Sequence, residues 1–279
     1  MQILPPVALS PYIKHYLFLE SGDNRHKSLR LFSDGNTGMV FLPDHGRLSI
    51  NQTQNLPPSF LYGQISHYQD LASVDQTSFI IIVFQPDGLY RLLGISASEL
   101  KDQIVTAQDV FGTPVKKLYE TLFQLSHSTE KIQALNSFFY ELAVHLRSPR
   151  QTLLPTVLRH IAQHKGLVTV EQLVHYTGYT ERHVERIFAQ QIGVSPKKYG
   201  NIVQLHAFLK LLRNKPAEIS LTAISYESGY SDQSHLTRAF KKYTGITPSQ
   251  YVNNTNKLAI NFMEFKDRSD LMSGLYNLA

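Results

Sequence analysis

Residues 178–199 read GYTERHVERIFAQQIGVSPKKY and residues 229–251 read GYSDQSHLTRAFKKYTGITPSQY. With one extra residue placed after Ser231, the two segments share Gly178/Gly229, Tyr179/Tyr230, His183/His235, Arg186/Arg238, Phe188/Phe240, Gly193/Gly245, Pro196/Pro248 and Tyr199/Tyr251. Eight identities with coincident turn residues mark an internal repeat of a supersecondary unit.

Local chemistry builds each copy as two helices around a sharp turn. Thr169 opens a helix with Gln172 at its third position, a capping-box pattern, and Val170, Leu173 and Val174 give it an apolar face. Gly178 ends that helix, since glycine takes the left-handed conformation of a sharp exit without a Cβ penalty. Thr180 caps the next helix, which turns Val184, Ile187 and Phe188 inward and leaves Arg182, His183, Glu185 and Arg186 outside. In the second copy Ser220 opens a helix carrying Leu221 and Ile224, Gly229 closes it, and Ser231 starts a helix with Leu236 and Phe240 inside. Gln233, Ser234, Thr237, Arg238, Lys241 and Lys242 point out. Helix, glycine-containing turn, helix is a helix-turn-helix. Ser195-Pro196 and Thr247-Pro248 each set a cap before proline at the first helical position, so each unit passes into another helix. Between the units, Ile202, Leu205, Leu209 and Leu212 predict one long helix near 196–213 that holds them at a set separation.

Double-stranded DNA is the expected partner. A helix-turn-helix presents the first turns of its second helix to the major groove, where guanidinium and amide groups bond base edges. Two such helices joined in one chain enter successive grooves about 34 Å apart. Charge agrees: the chain totals 27 − 22 = +5, but residues 150–257 hold 14 − 6 = +8, residues 1–149 hold 11 − 13 = −2, and residues 258–279 hold 2 − 3 = −1. Phosphate affinity, weakened by salt, therefore belongs to one region. For Arg186 and Arg238 the competing reading is a solvated or intramolecular ion pair, and for His183 and His235 it is packing.

The absence of cysteine excludes disulfide scaffolds, thiolate metal sites and cysteine nucleophiles. No apolar run approaches the roughly 18 residues of a membrane span, and the opening MQILPPVALSPYIKHY does not read as a leader. A soluble cytoplasmic protein without a membrane partner is the expectation.

Over residues 12–85, YLFLE (16–20), GMVFLPD (38–44), RLSI (47–50), SFLYG (59–63) and SFIIIVF (78–84) read as strands, with turns at 34–36, 43–46 and 56–58. Helical segments follow, with two longer ones at 114–125 and 130–147. Ile132, Leu135, Phe139, Leu142 and Leu146 form one stripe, either packed on the β unit or paired with a second subunit. His15, His26, His45 and His67 show no metal-ligand spacing, and no serine elbow, dinucleotide turn or phosphate loop is present. No metal, cofactor, catalytic residue or enzyme activity is expected.

The run Gly229-Tyr230-Ser231-Asp232-Gln233-Ser234-His235-Leu236-Thr237-Arg238-Ala239-Phe240-Lys241-Lys242, continued by Gly245-Ile246-Thr247-Pro248 and Tyr251, resembles the signature of the AraC/XylS family of bacterial transcription regulators. The resemblance covers roughly residues 150–254. It implies a seven-helix DNA-binding domain whose third and sixth helices read the groove, with Arg182, His183, Glu185, Arg186, Gln233, Ser234, Thr237 and Arg238 at the reading positions. The family often has Arg where this chain has Gln204 and Val252, which removes two possible contacts. Its DNA-repair branch needs reactive cysteines and is excluded. Many relatives place a β-rich, often cupin-like sensor and dimerisation domain first. A subset opens with a domain similar to the PPVALSPYIKHYLFLE, FLYGQ and QPDGLYRLLG stretches of this chain.

The expected fold is α+β: a β-rich, cupin-like sensor and dimerisation domain with helices (1–148), an all-α double helix-turn-helix domain (149–256) and a C-terminal extension (257–279). Ile260, Phe262, Met263 and Phe265 in that extension predict docking on one of the domains. The expected function is a sequence-specific, homodimeric transcription regulator that contacts or obstructs RNA polymerase. The competing reading is a module whose DNA binding is conditional on a small-molecule effector. Phe41, Phe60, Tyr62 and Phe84 would line an effector pocket if they do not simply pack the core.

Overall fold

The computed structural model describes residues 1–20, 27–43, 47–51, 54–74, 78–144, 153–214 and 220–266. His26, His45, Leu146 and the tail beyond residue 266 lie outside the described residues. The first part carries β1 (Gln2–Ile3), β2 (Ile13–Glu20), β3 (Lys27–Leu31), β4 (Gly38–Phe41), β5 (Arg47–Ile50), β6 (Gln54–Asn55), β7 (Ser59–Tyr62), β8 (Gln69–Val74) and β9 (Ser78–Phe84). Helices α1 (Gly88–Leu93) and α2 (Ala97–Leu100), strand β10 (Ile104–Thr106), and helices α3 (Ala107–Phe111), α4 (Thr113–Gln124) and α5 (Ser128–Val144) follow. The second part is α6 (Leu154–Gln163), α7 (Val170–Thr177), α8 (Glu181–Gln191), α9 (Pro196–Arg213), α10 (Leu221–Glu227), α11 (Gln233–Thr244) and α12 (Pro248–Asn253). A hairpin of β11 (Thr255–Ala259) and β12 (Phe262–Phe265) comes last.

The strands form two antiparallel sheets, ordered β1-β2-β9-β4-β7-β10 and β11-β12-β3-β8-β5-β6. The run SFIIIVF is continuously apolar because β9 is buried on both faces. Ile80, Ile82 and Phe84 face a core shared with Leu118, Leu122, Leu135 and Phe139 of α4 and α5. Phe79 instead packs between the sheets with Leu29, Leu48, Leu71 and Phe262. Strand β4 alternates likewise, Met39 and Phe41 toward the helices and Val40 toward the second sheet.

Helix α5 lays its stripe on this core. Leu135 and Phe139 are fully buried, the Phe139 ring meets Phe84 edge-on at 5.7 Å, and Tyr16 Oη donates to Asn136 Oδ1 at 2.8 Å. The packing alternative thus describes Ile132, Leu135, Phe139 and Leu142, while Tyr140 and Val144 stay exposed. Phe41 and Phe84 are core residues; Phe60 is buried in the core between the sheets, with Tyr62 packed against it, and both also line a cavity of about 1950 Å³ that runs between the sheets to the junction with the helical domain.

The hairpin shows how the extension docks. Strand β12 pairs with β3, Phe262 opposite Leu31, Met263 opposite Arg30 and Glu264 opposite Leu29, so a segment that follows the helical domain completes a sheet of the first. Phe262 points into the sandwich, and Met263 and Phe265 point into the core of the second helix-turn-helix. Phe32 enters that same core from the first domain, among Ile202, Leu205, Phe208 and Leu209.

Candidate nucleic-acid interface

The first unit is built as its sequence dictates. Gln172 N donates to Thr169 Oγ1 at 3.1 Å and Thr169 N to Gln172 Oε1 at 2.8 Å, closing the capping box that starts α7. Gly178 ends α7 at φ 71°, where a Cβ would meet nothing within 4 Å, so glycine is required there by backbone conformation and not by packing. Thr180 Oγ1 accepts from His183 N at 3.3 Å and starts α8. Leu173, Val184, Phe188 and Ile192 then bury against Leu154, Val157, Leu158 and Ile161 of α6.

The second unit follows the same plan with one change. Ser220 caps α10, but α11 is capped by Asp232, one residue later than Ser231, with Asp232 Oδ1 accepting from His235 N at 2.7 Å. A carboxylate adds charge to the cap at the positive end of the helix dipole, which is why it displaces the neighbouring hydroxyl. That backbone hydrogen bond holds the Asp232 carboxyl below its ordinary pKa. Ser231 Oγ donates to Asp232 Oδ2 at 3.3 Å and lies 3.2 Å from His235 Nδ1, so Ser231 supports the cap. Leu236 and Phe240 are buried as expected.

Helix α9 spans Pro196–Arg213, with Ile202, Leu205, Leu209 and Leu212 buried. Gln204 is also buried and donates through Nε2 to the Ser228 carbonyl at 3.0 Å, which ties the middle of α9 to the turn of the second unit. Lys165 reaches the same turn, its Nζ donating to the Glu227 carbonyl at 3.0 Å. Neither tie is legible in the sequence, because each joins residues far apart in the chain.

Arg182, Arg186, Gln233, Ser234, Arg238, Lys241 and Lys242 are exposed on the second helices of the two units, and His183, Glu185 and Thr237 are half-buried there. Arg186 Nη2 lies 3.3 Å from His183 Nδ1, and the His183 ring packs 4.3 Å from that of Tyr179. Thr222 Oγ1 donates to Gln233 Oε1 at 3.3 Å, which orients that amide, while the Thr237 hydroxyl donates to its own helix at the Gln233 carbonyl. Tyr179, in the turn between α7 and α8, is 40% exposed.

A family model described as a helix-turn-helix domain matches residues 173–254, and one described as a domain of unknown function (DUF6597) matches residues 1–106. An uncharacterized HTH-type transcriptional regulator of Haemophilus influenzae is 37% identical over 82 residues, 29% of this chain and 27% of that protein. The chain thus spans about a quarter of that relative's length. The HTH-type transcriptional activator RhaS of Citrobacter koseri is 26% identical over 266 residues, covering 87% of this chain and 90% of that one. A crystal structure of wild-type ToxT from Vibrio cholerae with unsaturated fatty acid bound aligns over 85% of this chain and 94% of that one, with a TM-score of 0.47 and 11% identity. Among the described residues no helix is long and apolar enough to cross a membrane. The matched sequence and the two capped helix pairs coincide: residues 173–254 carry a helix-turn-helix domain similar to those of HTH-type transcriptional regulators.

Proposed function

We propose that the chain is a sequence-specific, double-stranded DNA-binding transcription regulator that sets α8 and α11 in successive major grooves. The observation that carries this reading is the matched exposure of the two helices: each turns its arginine, Arg186 or Arg238, to solvent, while its opposite face is buried in the core of its own unit. Arg182, His183, Glu185 and Arg186 read one segment of the site, and Gln233, Ser234, Thr237 and Arg238 read the other. Lys241 and Lys242, near the end of α11, serve phosphates. The protein acts in the cytoplasm as a homodimer through its first domain, for which Tyr140 and Val144 on the open side of α5 offer an apolar surface, and it contacts or obstructs RNA polymerase. Selection of bound duplexes from a random DNA pool tests the reading. A recovered site with two conserved segments about one helical turn apart is expected. Recovery of no site, or of a single short segment, overturns it.

A second reading adds effector control to the same activity. The cavity between the sheets is lined by Phe60, Tyr62, Leu71 and Ile81 and reaches His206 of α9 at the domain junction, so an occupant would touch both domains. A gel-shift titration with and without fractionated cell metabolites tests it, and an affinity unchanged by every fraction counts against it.

A further inference from the structure

Arg30 belongs to a strand of the first domain, yet it holds the far end of the chain. It is 4% exposed and pairs bidentately with Asp70 across the β3–β8 ladder, Nε to Oδ1 at 2.6 Å and Nη2 to Oδ2 at 2.8 Å. Its Nη1 donates to the carbonyl of Thr244, the last residue of α11, at 3.2 Å. The Tyr68 ring stands 4.1 Å from the guanidinium and the Phe265 ring of β12 stands 5.0 Å from it. The carbonyl it takes is one that a helix end leaves without a partner, and the cation meets the negative end of the helix dipole. Because the guanidinium is a rigid fork already fixed by Asp70, it specifies a direction as well as a contact.

The turn after α11 is shaped to this contact. Gly245 has φ 74°, and a Cβ there would stand 2.6 Å from both Arg30 Nη1 and Tyr68 Cε1. Its counterpart in the repeat, Gly193 after α8, has φ 87°, and a Cβ there would stand 2.8 Å from the carbonyl oxygen of Ala97 in α2. Ser96 Oγ also donates to the Gln190 carbonyl near the end of α8, at 3.4 Å. The first domain therefore touches both units at the same point of the repeat, the turn that follows the second helix.

We propose that the first domain braces the two units against each other and that Arg30 is the positioning residue that sets the angle of α11 relative to α8. This rests on the DNA-binding reading above. Arg30 acts through Thr244 and Gly245. Bracing both units removes orientational freedom before binding, so the second helix meets its groove at a high effective concentration once the first is seated.

Two measurements on the full chain test the proposal. The first needs no DNA: the chain has no cysteine, so Ala189→Cys with Ser249→Cys gives one spin label in each unit. A single narrow distance distribution is expected, broadened by Arg30→Ala, by Asp70→Asn and by Arg30→Lys, since an ammonium cannot reproduce the bidentate fork. An unchanged width in variants whose circular dichroism shows them folded overturns the brace. The second uses the duplex recovered by selection with the unmodified chain. Arg30→Ala should lower affinity for that duplex about tenfold, and should be less sensitive than the unmodified chain to insertion of about 5 base pairs between the two segments. Equal sensitivity to the insertion, or tighter binding by Arg30→Ala, overturns the proposal. Failure of the unmodified chain to select any duplex overturns the DNA-binding reading instead, and leaves the label measurement to decide the brace.

Discussion

Replacing Phe32 by alanine should destabilise the helical domain, although Phe32 belongs to the β-rich one. The ring is fully buried among Ile202, Leu205, Phe208 and Leu209 and stands 6.1 Å from that of His206. Phe→Ala in a core costs about 3–5 kcal/mol, the spread reflecting how far the site collapses around the cavity. Collapse is limited here. Phe32 N donates to the Asn261 carbonyl at 3.0 Å, and Asn261 Nδ2 donates to the Phe32 carbonyl at 3.1 Å, so the backbone is tethered to the hairpin on both sides. The loss should fall near the upper end, about 4–5 kcal/mol. With a urea dependence of about 3 kcal/mol per molar, the midpoint moves down by roughly 1.3–1.7 M. Urea unfolding followed by circular dichroism reads that shift, and labels on the sandwich and on α9 should report it together. A shift below about 0.3 M, or one confined to the sandwich, refutes the claim that the two domains share this core.

Arg186→Ala and Arg238→Ala should each weaken binding to the selected duplex by about 1–3 kcal/mol, with a smaller loss on random DNA, as gel-shift titration will show. Equal losses on both DNAs assign the arginines to phosphates. Asp232 has its folded pKa below the ordinary carboxylate value, chiefly through the hydrogen bond from His235 N, so its capping contribution is complete above the unfolded pKa and is lost as pH falls through the lowered folded value. The stability difference between the unmodified chain and Asp232→Asn should therefore be constant above about pH 5 and change only below it; a difference that drifts between pH 6 and 8 refutes this. Truncation after Asn254 removes the partner strand of β3, and should lower the melting temperature and promote self-association through the exposed sheet edge. An unchanged melting temperature in a monodisperse product refutes it.

The helical half was legible because its determinants are local. Thr169, Gly178, Thr180, Ser195 and Thr247 each act on neighbours within four residues, and the structure places every one where its cap or turn chemistry demands. Ser231 misled by one residue because both it and Asp232 cap well, and the choice between them is electrostatic. The β half was legible only where apolar residues dominate. Strands β3 (KSLRL) and β8 (QDLASV) carry no apolar run, because Arg30, Asp70 and Ser73 interrupt them with residue types that usually face solvent, yet Arg30 and Ser73 are buried, Arg30 against the helical domain. A polar side chain that finds its partner 214 residues away, as Arg30 does at Thr244, leaves no local pattern.

Residue order alone was enough to build the two helix pairs and to make DNA the expected partner. A duplicated capped helix pair in a +8 segment leaves few alternatives to DNA, and short-range backbone chemistry suffices to build it. How the units are held depends on contacts between distant parts of the chain. Strand β12 joins a sheet begun more than 200 residues earlier, and Phe32 and Arg30 cross from that sheet into the core and helix end of the second unit. Hydrogen-bonded strand addition and burial of a shared core depend on which surfaces meet in space, and the order of residues along the chain does not state that.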